Sequence, residues 1–323
     1  MVLGKIRNYI GEFRAYNRER KQVVHSAVIA KEERLKGRIV RLVHSIEKGL
    51  SIDTPRPGFG YEKIQKIYGW AKEYLKYDVS DKTCIYMFAD ALNCYLEYHE
   101  SIGFTSDKIN EIRAMAEEFG AIKTNDKVTG IYGGVQKIYK KDQNFDNSEI
   151  ERLFKTRHSI RQFEKGKSCE ESIHRAIELA QCAPSACNRQ AVRAYVVDTQ
   201  KFVETYPGNL QGVGGFVENS ENIILITGKI SPYEEYEYKQ FIVSAGIFAG
   251  YLDLALHAVG LGSCVVQRSL RPDKVWESYC KIAGIPMDEQ IICMMVVGNK
   301  KEETVVPVSR RFNTDSIVKF LKK

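Results

Sequence analysis

The chain is poor in several features that would assign it quickly. Among 323 residues there are only 8 prolines and 2 tryptophans. No stretch reads as about 18 consecutive apolar residues, so no membrane span is expected. The opening MVLGKIRNYIGEFRAYNRER has neither the apolar core nor the small-residue cleavage site of a secretion signal. Internal repeats and low-complexity tracts are missing. So are HExxH, GxSxG and the P-loop, which leaves no sequence support for a zincin, a nucleophile-elbow hydrolase or a phosphate-loop enzyme. The eight cysteines (84, 94, 169, 182, 187, 264, 280 and 293) form no CxxC pair, and no histidine stands at zinc-finger spacing from one. Most lie in apolar runs, as Cys293 does in IICMMVVG, and read as small buried residues in a reducing cytoplasm.

What is present is ordinary for a folded chain: 44% hydrophobic and 28% charged residues. The length favours two domains, or one with a large extension. Lys+Arg total 48 against 41 Asp+Glu, a formal +7. That excess is local. Residues 1–48 hold 12 basic and 5 acidic residues, and the remainder holds 36 of each. The basic region reads as a solvated helical surface, or as a face for an acidic partner or membrane; nothing in it calls for nucleic acid.

The first 148 residues read as helical. Leu35, Ile39, Leu42, Val43 and Ile46 share one helical face, with Gly49 placed as a C-cap. SIDTPRPGFG is a loop. Further helices are expected near Thr83–His99 and Ser106–Phe119, and a linker over Lys140–Ser148. The second part, 149–323, alternates. A helix over Glu171–Cys182 stops before Pro184. Strands are expected at Ala194–Asp198, Ile223–Thr227 and Ile292–Gly298, and a long helix rich in small residues over Phe241–Gly260. The elements lack a regular βαβ rhythm, so the expected class is α+β.

Four motifs could carry chemistry. TRHSIRQF sets Arg157 and Arg161 around Ser159, a donor set suited to phosphate, although arginine-rich loops are also commonly just solvated. APSACNRQ presents Ser185 and Asn188 from a non-helical stretch after the proline; a plain helix–strand connection would look the same. HAVGLGSC carries two glycines that permit close approach of a flat ligand, or that simply cap the helix and turn; it is not the dinucleotide GxGxxG, because it follows a helix and lacks the third glycine. VSRRFNTD holds adjacent Arg310 and Arg311, which in extended chain point opposite ways, so that one could meet an anion.

Together, in order and spacing across Ile150–Lys323, these motifs resemble the FMN-dependent nitroreductase family. Arg157, Ser159, Arg161 and Phe163 match its opening signature. Ala183, Pro184, Ser185, Asn188 and Gln190 match its APSxxNxQ, Gly260–Ser263 its GLGS, and Gly298 with Arg310 or Arg311 its closing strand and basic residue. The resemblance implies a homodimeric α+β fold, with a mainly antiparallel sheet flanked by helices, holding FMN at the subunit interface. It implies that Arg157, Ser159 and Arg311 hold the phosphate and ribityl chain, and that Arg161 lies near the pyrimidine edge, where a cation stabilises the reduced ring. Ser185, Asn188 and Gln190 would reach the flavin, some of them across the dimer, and Gly262 and Ser263 would offer backbone contacts. His158, Pro184 and Arg310 complete the expected cofactor set. No metal and no protein nucleophile is implied. NAD(P)H would reduce the flavin, leave, and be replaced in the same cleft by a nitro, quinone or other small acceptor.

The chain departs from the family pattern at Ala191 and Val192, where Pro and an aromatic are common, and at His158, where Arg is. The N-terminal RLVHSIEKGLS and RPGFG resemble the extension on nitroreductase-like proteins linked to bacterial polysaccharide biosynthesis. His44, Glu47 and Lys48 could form a polar cluster near the flavin or a partner; alternatively, this region is a packed helical domain with Arg56–Gly60 as a structured turn. YPGNLQGVGGF and SPYEEYEY are expected to form mobile pocket walls. A second functional reading is a flavin-holding interaction protein in polysaccharide or envelope assembly, with little turnover.

Overall fold

The computed structural model describes residues 2–165, 169–205, 214–267, 278–281 and 283–321. Five helices come first: α1 (Val2–Ile29), α2 (Lys31–Leu50), α3 (Tyr61–Tyr74), α4 (Thr83–Ser101) and α5 (Asp107–Asn125). The stripe Leu35, Ile39, Val43 and Ile46 on α2 is buried, as are Ile85, Phe88, Ala89, Leu92 and Leu96 on α4 and Ile109, Ile112, Ala116 and Phe119 on α5. These faces make one core with Ile64 and Ile67 of α3. Ser106 caps α5 by accepting from the Ile109 N–H at 3.3 Å.

The RPGFG segment is a structured turn of this helical unit. Gly58 N–H donates to His99 Nε2 at 2.9 Å, and the Tyr95 hydroxyl donates to the Phe59 carbonyl at 2.7 Å. Phe59 sits against Gly49, where an added Cβ would meet its ring at 2.2 Å. Gly60 starts α3 from φ +72°, a left-handed conformation that suits glycine. His44 and Glu47 also belong to this packing: His44 Nδ1 lies 3.2 Å from one Glu47 oxygen, and the other accepts from Gly134 N–H at 3.0 Å.

The second half contains α6 (Asn147–Thr156), β1 (Phe163–Glu164), α7 (Glu170–Ala180), β2 (Val192–Asp198), α8 (Thr199–Thr205), β3 (Asn222–Lys229), α9 (Gln240–Ala258), β4 (Leu261–Val266) and β5 (Glu289–Lys300). α6 begins inside the expected linker because Asp146 caps it, its side chain accepting from the Ser148 and Glu149 amides. The sheet runs β1-β5-β3-β2, with β4 also on β5, and every named strand pair is antiparallel. This is the expected α+β class. β5 is buried along its first ten residues.

Side chains of β3 and β5 alternate between two cores, as strand periodicity requires. Ile224, Ile226, Met295 and Val297 face α7 and α9, while Ile223, Leu225, Met294 and Val296 face the other way. A bulge at Ile226/Thr227 breaks the register, which is why the consecutive Ile292 and Cys293 both lie in the first core. One element differs from expectation: Gly260, at φ +90°, ends α9 as a cap, but Leu261–Val266 continue as strand β4 on β5 where a turn was expected. All eight cysteines are free; Cys84, Cys169, Cys264 and Cys293 are buried, whereas Cys182 is exposed.

α9 qualifies, by length and composition alone, as a helix that could cross a bilayer, the one such among the described residues. A scan for an unbroken apolar run overlooks it, because glycine, serine and Asp253 interrupt the sequence. Its Ala245, Ala249, Leu252 and Leu256 pack on the sheet.

The two halves meet along α2. Arg34 and Arg38 both reach Glu234, at 2.8 and 2.6 Å, Arg41 donates to the Tyr236 hydroxyl, and Lys229 pairs with Glu33 at 3.0 Å. An added Cβ at Gly37 would stand 2.4 Å from the Pro232 carbonyl oxygen. SPYEEYEY, expected to be mobile, is therefore clamped to α2. Most of YPGNLQGVGGF lies outside the described residues.

Candidate functional site

Two separate motifs converge at the end of α9. Ile160 N–H donates to the Ser263 carbonyl at 2.8 Å, and Ser159 bridges Ser263 in parallel. Gly262 permits this approach: a Cβ there would lie 2.9 Å from the Ile160 side chain. Asp253 on α9 joins them further. Its carboxylate accepts from the Ser263 hydroxyl at 2.6 Å and pairs with Arg157 Nη1 at 3.3 Å. Arg161, exposed, lies with its guanidinium carbon 5.9 Å from the Phe216 ring centroid. Arg157, Ser159, Arg161, Gly262 and Ser263 thus stand together, with His158 in the same segment.

Sequence reasoning missed three members of this cluster: Asp253, His257 and Lys300. His257 Nε2 lies 2.9 Å from Thr156 Oγ1, and Lys300 Nζ lies 3.0 Å from His257 Nδ1. An ammonium only donates, so Nδ1 accepts and the proton sits on Nε2. Burial, together with Lys300 and Arg157, holds the His257 pKa below its ordinary 6.5. Burial likewise lowers that of Lys300. An i, i+4 pair on one helix face, Asp253 and His257, was the available signal.

The second set lies on the loop after α7. Cys187, Asn188 and Gln190 all take positive φ, at 52°, 54° and 51°. Gln190 N–H donates to Ser185 Oγ at 3.0 Å, and its side-chain amide donates to Asn188 Oδ1 at 3.2 Å. The strained loop therefore holds Ser185, Asn188 and Gln190 as one unit beside Pro184. It lines a cavity of about 430 Å³ that includes none of residues 157–161. Conversely, the cleft at Arg161 includes none of residues 183–190.

Arg310 and Arg311 belong to an exposed extended tail, Arg311 Nη1 donating to the Ser309 carbonyl two residues earlier at 2.6 Å. Among the described residues, no hydrogen bond or ion pair joins either arginine to Arg157–Arg161. No metal-ligating group of three or more His, Cys, Asp or Glu occurs among the described residues.

A mainly antiparallel α+β domain with a basic cluster at the end of a small-residue helix defines the class of protein. Residues 154–210 and 215–299, somewhat less than half of the chain, match the model of the Nitroreductase family. Solved structures similar to it include an FMN-dependent nitroreductase from Clostridium difficile R20291 (24% identity, 53% of this chain and 98% of that one, TM-score 0.43). Others are a nitroreductase family protein from Streptococcus pneumoniae TIGR4 (21%, 53% and 100%, 0.42) and a nitroreductase with bound FMN from Desulfitobacterium hafniense DCB-2 (18%, 55% and 100%, 0.42). No match is found among curated proteins.

Proposed function

We infer that this protein is an FMN-dependent oxidoreductase that takes electrons from NAD(P)H and passes them to a nitro, quinone or other small acceptor in alternating, ping-pong turns. The observation that carries the reading is the docking of TRHSIR against GLGS through Ile160 and Ser263, inside a domain that matches the nitroreductase family. The donor set fits FMN. Arg157 and Ser159 offer charge and a hydroxyl to the phosphate and ribityl chain, with Arg310 or Arg311 from the tail. Arg161 offers a cation to the pyrimidine edge, and Gly262 leaves room for a flat ring. Bound FMN would supply two-electron chemistry at its ring. The protein's own residues bind it, orient it and set the charge around it. Asp253 holds Arg157 and Ser263 in place.

The homodimer reading has its own support. Ser185, Asn188 and Gln190 line a different cleft from Arg157–Arg161, so a site using both sets is more simply completed by a second copy. α9 leaves Val243, Ile247 and Tyr251 exposed on one face, beside the open Gly246 and Gly250. The tail exposes Val305, Val308, Phe312, Ile317, Phe320 and Leu321. Apolar surface of this extent calls for a cover. We put the domain boundary at 148/149; a first core drawn from residues 35–119 and two cores drawn from residues 160–297 support it. A cytoplasmic location follows from the cysteine usage and the proposed nicotinamide donor; a link to polysaccharide biosynthesis rests on the N-terminal resemblance alone.

The purified protein should be yellow and should bleach on anaerobic addition of NADH or NADPH. Arg157→Ala should lose FMN on gel filtration. A fully loaded, yellow Arg157→Ala protein would remove Arg157 from the phosphate site, and a colourless wild type that refuses FMN would sink the function.

A further inference from the structure

The cavity of about 430 Å³ at the 183–190 loop is not built by the second half of the chain alone. One wall comes from α2 and α4 of the helical unit, through Lys36, Val40, Thr83 and Met87; the other comes from residues that include Pro184, Arg193 and Phe248. The volume is in the range of small-ligand sites, and the walls mix apolar surface with six charged side chains.

The charges are unequal. Lys36, Arg189, Arg193 and Lys229 line the cavity, against Glu33 and Asp81. Three cations have carboxylate partners: Lys36 with Asp81, Lys229 with Glu33, and Arg189 with Glu237 outside the lining. Arg193 has only backbone carbonyls, those of Val192 at 2.8 Å and Gln190 at 3.3 Å. Arg189 adds a second observation. Its side chain is fully buried, its Nη2 reaches Glu237 and its guanidinium lies 4.6 Å over the Tyr233 ring, yet Nε and Nη1 have no hydrogen-bond partner. Buried guanidinium donors left without hydrogen bonds are costly, and stacking on the ring offsets part of that cost.

We propose that this interdomain cavity binds a small monoanion, an unsaturated or aromatic carboxylate, with Arg193 meeting the carboxylate and Val40, Met87 and Phe248 packing its apolar body. A single unpaired cation fits one negative charge better than a phosphate dianion, and a guanidinium matches a carboxylate in two parallel bonds. On this assignment the N-terminal helices are a wall of the acceptor site. That role as acceptor site rests on the flavin reading; the binding itself does not.

The test is calorimetric titration of the full chain with cinnamate and with its neutral isostere cinnamamide, each with and without added FMN. Cinnamate should bind at least about tenfold more tightly than the amide, as a charge-assisted bond implies. Arg193→Met should erase the difference, and Arg193→Lys should keep part of it. Thr83→Trp, at the half-exposed first position of α4, should weaken both ligands about tenfold by filling the cavity. Equal binding of acid and amide, or a preference that survives Arg193→Met, overturns the proposal. Unchanged binding in Thr83→Trp removes the α4 wall and overturns it too. Competition between FMN and cinnamate would assign the cavity to the flavin itself and also overturn it, leaving the flavin reading intact. Failure to take up FMN with the acid preference retained would sink only the flavin reading.

Discussion

His99 and His257 are both packed against other groups, and their partners give them different consequences. His99 is fully buried and uses both ring nitrogens, one accepting from Gly58 N–H and the other donating to the Tyr95 carbonyl at 2.7 Å. It is a structural link between α4 and the RPGFG turn. His257 instead faces cations, Lys300 and Arg157, with Asp253 as the counter-charge. Its folded pKa is depressed below 6.5. As pH falls below that value the unfolded chain takes up a proton that the folded chain resists, so stability falls with pH; above it this group adds no slope. The urea midpoint should therefore drop between about pH 7.5 and about pH 5.5, and His257→Gln should flatten that drop. An unchanged slope in the variant would show that the group does not titrate differently on folding.

At the scale of elements, α2 joins the halves together with α1, whose Gln22 donates to the Met287 and Glu289 carbonyls. The inward stripe of α2 serves the helical core, while Arg34, Gly37, Arg38 and Arg41 serve the partner half. Glu234 is the common anchor. The Arg38 hydrogen bond, with the charges of Arg38 and Arg34, outweighs burial and holds its carboxyl near pKa 2. This stabilisation is present above the ordinary value of 4.5 and is lost as pH falls from there toward about 2. Glu234→Gln at neutral pH should cost about 1.5–3 kcal/mol, read as a lower Tm and faster hydrogen exchange in the Arg34–Arg41 turns than in β5. Gly37→Ala should loosen the same joint, since its Cβ would collide with Pro232 backbone that cannot rotate away.

At the scale of the molecule, the proposed homodimer ties the α9 stripe, the exposed tail and the split site residues into one expectation. Ile247→Asp should leave the chain folded by circular dichroism but shift sedimentation from dimer to monomer. It should also reduce FMN retention if both copies complete the site. A wild-type monomer that retains FMN fully would count against shared sites.

The sequence determined what depends on local pattern. The helical stripes of α2, α4 and α5, the apolar runs of β3 and β5, and the α+β class follow from the spacing of apolar residues, because burial acts on whichever face that spacing makes continuous. The motif residues Arg157, Ser159, Gly262 and Ser263 were legible for the same reason: each motif is short and contiguous. Tertiary structure decided what depends on residues distant in sequence. No local signal places Asp253 between Arg157 and Ser263, turns SPYEEYEY from a mobile wall into a strap under three arginines, or makes LGSC a strand; β4 exists because β5 offers it an edge. Nor could spacing alone show that α2 and α4, far from the family motifs, form a wall of the cavity at the 183–190 loop. Charge pairing and close backbone approach are properties of space, and only the fold brings those atoms within reach.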